Sequence, residues 1–313
     1  MSILSNAIAG ISLAVLANQS TAPIEAPRPA ESVRLEYRFE KGDILRVEVQ
    51  EISRLLVAKG EARQEQSNRS TTKNRYVVTD VSEEGLATLK YRIVEARMRG
   101  QFDDDPPIEF DSRTDKTPAG FEEIRKAIGV DRLELLVKPD GTLVEIRSLL
   151  DEPTGGESGD ATPETTKSNI FPPLPRKPVA VGDQWSRVRK VRVSVGEGLN
   201  SPLTQEVRIL HSYRLESIER GVATIRTESN PLTGINNPAI QVQVAPQKST
   251  GTIRFDIKRG RVLERTKTVD NLTIGWQGPD SSLKTLRTRT ERLLPRSEDE
   301  GDERSGNREI SKR

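Results

Sequence analysis

The chain has no cysteine and only one histidine, His211, among its 313 residues. The first absence excludes disulfides, thiolate nucleophiles, cysteine-ligated zinc and iron–sulfur clusters. It also excludes a lipid anchor on an N-terminal cysteine. The second excludes a two-histidine metal site within one chain. Any catalysis falls to carboxylates, lysine, tyrosine, serine or threonine. Aromatic residues are scarce at 4%, and the hydrophobic class, at 33%, barely exceeds the charged class, at 31%. That is less apolar material than a typical globular domain carries. Neither sign of charge dominates, since 49 basic and 47 acidic side chains leave a formal +2. No global field draws in nucleic acid or an anionic membrane. Walker A, dinucleotide-binding and Gly-x-Ser-x-Gly motifs are all missing.

The apolar run AIAGISLAVLA at residues 7–17 is too short to span a bilayer and has the length of a signal-peptide core. Val15 and Ala17 supply small residues before a cleavage point. Residues 2–6 lack the usual Lys or Arg. A short packed helix is the alternative, but the Pro-rich segment that follows favours export. Residues 1–17 are read as a signal peptide and 18–32 as a disordered start.

Residues 33–150 read as a β-rich unit with one helix. Leu35, Tyr37 and Phe39 alternate with charged residues, which predicts a half-buried strand. Lys41-Gly42-Asp43 is a turn leading to a hairpin partner from Leu45, which Ile52–Val57 continues. Residues 59–74 are polar without periodicity and read as a loop or polar edge. A phase switch along Leu86–Met98 predicts a bulge near Ile93. Asp103-Asp104-Asp105 lacks EF-hand spacing and reads as loop punctuation rather than a calcium site. Thr117-Pro118 with Phe121, Ile124 and Ile128 predicts a helix of about three turns ending at Gly129.

Residues 151–178 read as a disordered, then Pro-rich linker. Pro172–Lys177 also fits a PxxPxK pattern, but a structural spacer is favoured over partner recognition. A second β-rich unit, 179–295, repeats the motifs of the first. Gly42/Gly182, Val78/Leu215, Gly85/Gly221 and Gly141/Gly260 are matched positions, at offsets of 140, 137, 136 and 119. Four ordered matches point to an internal duplication. Strands are expected at 190–195, 206–210, 241–244, 252–257, 261–269, 272–276 and 283–294. Residues 296–313 form a charged, disordered tail.

The combination Leu35-x-Tyr37-x-Phe39-x-x-Gly42-Asp43, the FPPLP…PVxVGDxW stretch from Phe171 to Trp185, and the late Gly-x-Val-Leu turns resembles an uncharacterised family. Its members are exported β-rich bacterial proteins, abundant in planctomycete-type bacteria, carrying a domain of unknown function. The resemblance covers about Val33 to Pro295. It implies export and a mostly antiparallel β fold, and it implies no activity. The missing cysteine and uncharged N-terminus depart from the family's lipoproteins and clear signal peptides.

Candidate sites are few. His211 reads as a surface or strand-end histidine, because no second motif completes a triad. Asp43 and Asp183 could form a pseudosymmetric acid/base pair, but Gly-Asp is ordinary turn chemistry. Trp185 and Trp276 could flank a ligand; core packing is favoured. Arg187, Arg189, Lys190 and Arg192 form the densest basic run, read as a strand with a solvated face. No catalytic, metal or cofactor-binding residue is assigned, and the ligand-binding residues stay open. The expected fold is mainly β and antiparallel, with two duplicated curved sheets that form half-barrels or share one core. The expected function is a non-catalytic exported protein, soluble in the periplasm or medium, that binds an envelope or extracellular partner. The alternative is a carrier of a lipid or other hydrophobic ligand in a curved-sheet cavity. A carboxylate-based hydrolase comes third.

Overall fold

The computed structural model describes residues 32–114, 116–149, 170–194 and 204–295. The leader over 1–17, the start over 18–31, the linker segment 151–169 and the tail 296–313 lie outside the described residues. Twelve strands and two short helices follow in order. These are β1 (Ile44–Lys59), β2 (Ala62–Val81), β3 (Ala87–Phe102), β4 (Ile108–Asp111), α1 (Glu122–Ala127), β5 (Asp131–Val137) and β6 (Leu143–Ser148). Then come β7 (Gln184–Ser194), β8 (Thr204–Glu219), β9 (Val222–Pro231), α2 (Pro238–Val244), β10 (Ser249–Asp256), β11 (Arg261–Ile274) and β12 (Ser281–Leu293). All twelve strands belong to one antiparallel sheet. Its order is β6-β5-β3-β2-β1-β12-β11-β10-β9-β8-β7, with β4 added beside β3. The order ends at β6 and β7, so the sheet is open. The two halves share this sheet, joined where β1 pairs with β12 from Val47↔Leu293 to Lys59↔Ser281.

Matched turns occupy matched positions. Gly42 (φ 87) donates to Val78 O at 2.8 Å, and Gly182 (φ 99) donates to Leu215 O at the same distance. Asp43 and Asp183 then close each turn. Their Oδ2 atoms accept from the Glu40 and Ala180 amides at 2.9 and 2.8 Å, which is the local bonding that favours Asp in turns. The register shift at Val78/Asp80 in β2 also recurs at Leu215/Ser217 in β8.

Two straps, residues 33–39 and 170–179, cross the inner side of the sheet. Residues 33–39 alternate as expected, with Leu35 1% and Tyr37 5% exposed. They form no ladder, however; an isolated bridge, Val33↔Val179, ties them to the second strap. Period-two burial reports one covered face, and here that face packs on turns rather than on a hairpin partner. The Tyr37 amide donates to Pro139 O (2.8 Å), the Arg38 amide to Gly260 O (3.2 Å) and the Leu174 amide to Asp140 O (2.9 Å). The Tyr37 hydroxyl donates to Pro172 O at 3.0 Å. Its ring stacks on Phe39 and meets Phe171 and Phe255 edge-on at 5.4 and 5.6 Å. Each such buried ring contributes ~2 kcal/mol from apolar area alone. Pro172 and Leu174 are buried, so two of the six residues of the PxxPxK pattern belong to the core.

Three further expectations need correction. The polar stretch 59–74 is mostly strand, forming much of β2, because both faces of that strand are polar. Residues 241–244 lie in α2. Asn237 caps this helix by accepting from the Ala239 amide, and Pro238 opens it. The helix read over 117–129 shrinks to six residues, with Phe121 rather than Thr117 at its N-cap. Thr117 instead accepts from Arg125, which also donates to the Ser112 and Lys116 carbonyls and lies over the Phe110 ring. The bulge near Ile93 is present. Glu95 pairs with Lys73 and Ile93 with Asn74, which leaves Val94 over.

Gly141 and Gly221 share φ 77 but differ in surroundings. A Cβ on Gly141 would stand 2.6 Å from Pro172 O and 2.7 Å from the Tyr37 ring, whereas one on Gly221 meets nothing within 4 Å. Alanine costs each site ~1 kcal/mol for its backbone conformation. Gly141→Ala is expected to cost ~2 kcal/mol more by displacing the strap. Urea unfolding that gives equal losses for the two variants would refute this role of the straps.

Candidate ligand cavity

The register builds a second, polar zone on the inner face. One cross-strand row runs Trp185–Tyr213–Thr227–Gly251–Lys267–Arg289–Glu51. A neighbouring row contains Arg187, His211, Ser229 and Ser249. On the other side, Ile225–Ile253–Arg265–Glu291 marks where the apolar zone gives way to charge. Beyond the polar zone, α2 lays Ile240 and Val244 against Val193, Val207 and Ile209.

Between the straps and this far cluster lies a hollow of about 1240 Å³, larger than a usual small-ligand pocket. It reaches from β6 across the open edge to β7 and over β8–β11. Strand β7 contributes Arg187, Arg189, Lys190 and Arg192 to its wall, β8 Arg208, β11 Arg265 and Lys267, and the second strap Arg176. Glu206 is the carboxylate in the wall, paired with Lys190 at 2.9 Å. Leu143, Phe171, Val188 and Ile253 supply apolar stretches.

The charges on the inner face are unevenly matched. Glu51 accepts from Arg287 at 2.7 Å, and Glu291 accepts from Arg289 Nε at 2.8 Å. Among the described residues, no carboxylate pairs with Lys267. Desolvation, and then the charges of Arg265, Arg287, Arg189 and Arg289, push its ammonium down to about 8. His211 Nδ1 lies 2.7 Å from Ser229 Oγ, and its buried Nε2 has no hydrogen-bond partner among the described residues. Desolvation, then Lys267, Arg189 and Arg265, push the imidazole down to about 4. It is neutral at pH 7, with one ring nitrogen left for a guest.

Several sequence readings change here. His211 is not a surface or strand-end residue; it sits mid-strand on the inner face because β8 runs from Thr204 to Glu219. The basic run of β7 is not merely a solvated face; at a free edge, residues of both parities reach the hollow. Trp185 packs on Tyr213 and donates to Pro173 O at 3.0 Å, within the strap junction. Trp276 is half-buried in the turn after β11, away from the cavity wall. Asp43 and Asp183 are held in separate turns, Asp43 also by Arg261 at 2.6 Å. Lys267, Arg265, Arg287 and Arg289 were not picked out from sequence. Their signal is that these cations share strand parity with the buried residues Val269 and Leu283.

The fold and site together define a class: an open, curled antiparallel sheet around a cationic hollow. No protein-family model matches the chain, and no curated protein does. Among solved structures, one titled for lipid–protein interactions in lipovitellin is similar with a TM-score of 0.44 and 10% identity. The match covers 82% of this chain and 26% of that one, so the chain spans about a quarter of its length. DynF, from the dynemicin biosynthesis pathway of Micromonospora chersina, is similar with a TM-score of 0.22 and 9% identity, over 86% and 88% of the two chains. Both likenesses are too distant to bear on function.

A histidine whose folded value lies below its free one weakens folding as pH falls. Between pH 6.5 and about 4 the unfolded chain takes up a proton that folded His211 refuses. Stability is expected to fall by up to ~3 kcal/mol across that window through this residue. His211→Gln should remove this share of the slope in denaturant titrations at several pH values; an unchanged slope would contradict the placement.

Proposed function

We propose that this protein is a non-catalytic binding protein, exported to the periplasm or medium, that holds an anionic ligand in the hollow. The observation that carries this reading is the charge of the wall. Eight cationic side chains line it; Arg176 and Arg187 pair with Asp140, Lys190 with Glu206 and Arg265 with Glu291, yet cations still outnumber carboxylates there in a chain that is nearly neutral at +2. The half-buried cations, Arg187, Arg189, Arg265 and Lys267, are like charges gathered in a recess, which opposes folding of the empty protein and attracts anions. Six of the eight are arginines, whose planar guanidinium suits two-point contact with carboxylate, phosphate or sulfate oxygens. Export rests on the apolar run at 7–17. An internal duplication is part of the reading, supported by the matched Gly-Asp turns and matched bulges.

A hydrophobic ligand fits in one form, an anionic amphiphile. The apolar recess beside the straps is only about 60 Å³, room for a few water molecules and not for an acyl chain. A chain would have to lie along Leu143, Phe171, Val188 and Ile253 in the large hollow, with its head on the cations. Solvent extraction of purified protein followed by mass spectrometry separates the readings, since a stoichiometric acidic lipid favours the amphiphile.

Calorimetric titration with citrate and with pyrophosphate at low salt tests the anion site. Binding is expected, weakening steeply as salt rises. The double variant Arg192→Glu, Arg208→Glu reverses two exposed wall charges. It should lose at least ~10-fold in affinity with an unchanged melting temperature. Absent binding, or binding indifferent to salt and to these substitutions, would refute the proposal.

A further inference from the structure

We propose that Lys267 captures its guest covalently, forming an imine with a carboxylate-bearing carbonyl compound of the 2-oxo or 3-oxo acid type. The inference rests on the anionic-ligand reading above and adds a reactive atom to it. Three features of the cavity support it. The Lys267 ammonium has no carboxylate partner among the described residues. The inner-face carboxylates in the facing strands, Glu51 and Glu291, are bound by Arg287 and Arg289. The position opposite Lys267 on β10 is Gly251, so no side chain stands between Lys267 and Thr227 along the row. Gly251 cannot acquire one without disruption, since a Cβ would stand 2.1 Å from Thr266 O. Finally, Arg189 and Arg265 line the same hollow and carry the charge that a carboxylate beside the carbonyl would need.

Desolvation, and then the same cations, favour the free amine, which is the nucleophilic form. With its ammonium pushed down to about 8, about a tenth of Lys267 is free amine at pH 7, far more than of a solvent-exposed lysine. In the step, the Nζ lone pair attacks the carbonyl carbon. The C=O π electrons move to oxygen, which takes a proton from solvent, and nitrogen loses one. The resulting carbinolamine is protonated again on oxygen and expels water, as nitrogen's electrons form the C=N bond. The net change is amine plus carbonyl plus one proton giving iminium plus water. His211 Nε2, without a hydrogen-bond partner among the described residues, can hold the carbinolamine hydroxyl. The capture is reversible and needs no further chemistry from the protein.

The test uses the full chain with pyruvate or acetoacetate and sodium borohydride, followed by intact-mass measurement and peptide mapping. One reduced adduct on Lys267 is expected, with labelling that rises as pH passes about 8. Lys267→Arg should abolish it while still binding citrate, and Lys138→Arg, at an exposed site, should leave it unchanged. Acetone, which has the carbonyl without the carboxylate, should label at least ~10-fold less. Adducts spread over surface lysines, or equal labelling by acetone, would overturn the proposal. No adduct with citrate binding intact would overturn the imine and leave the anion site standing. Loss of both would bring down the proposed function as well.

Discussion

The architecture depends on the aromatic junction around Tyr37. A twelve-stranded sheet exposes two faces, and this chain has too few apolar residues to cover either by itself. The fold concentrates what it has. Tyr37, Phe39, Phe171 and Phe255 meet where both straps cross the sheet, and backbone carbonyls at positions 139, 140 and 260 fix the straps there. The junction also manages the open edges. Asp140, in the turn before β6, accepts Arg176 of the second strap at 3.2 Å and lies 3.5 Å from Arg187 of edge strand β7. Hydrogen bonds from the Thr142 amide and from Arg176 hold its carboxyl below the usual range despite partial burial. Unpaired strand edges invite association with other chains, and here strap and turn stand across the gap.

With hydrophobic stabilisation gathered at one end, the middle of the inner face is free to be polar. Its content does not suit stability. A ring of guanidiniums around Lys267 costs folding free energy, and two glutamates offset only part of it. Placements that oppose folding are expected where function needs them. The hollow is therefore better explained by what enters it than by what it does for the fold.

The legible features were those encoded locally. Gly-Asp turns, alternation at 33–39, the bulge at Val94 and the antiparallel class all follow from short-range chemistry that three to six residues can carry. The illegible ones depend on what lies across the sheet. Strand β2 looks like a loop because both of its faces are polar over residues 62–74, so burial imposes no apolar period. In β12, Leu283, Arg287, Arg289 and Glu291 share a parity, and only the pairing to β1 and β11 shows that this parity faces inward. Helix α2 was missed although Asn237-Pro238 announced it, because the β-branched residues that follow read equally well as strand. His211 was judged by the absence of a motif, when its role comes from neighbours 18 and 56 residues further along the chain, Ser229 and Lys267.

Composition narrows which chemistry the hollow can perform. With no thiol and one neutral imidazole, the reactive groups are carboxylates, hydroxyls and amines. The Gly-Asp carboxylates are engaged in their turns, and the inner-face pair Glu51 and Glu291 accept hydrogen bonds from Arg287 and Arg289. Carboxylates already engaged in this way are not left to act on a guest, which weakens the hydrolase reading from within the site. The tyrosines Tyr37, Tyr76 and Tyr213 are pushed up by burial and stay protonated. Lys267 is the group whose surroundings move it towards reactivity near neutral pH. On the proposed reading, the cations that hold an oxyanion also favour the amine form of the lysine among them.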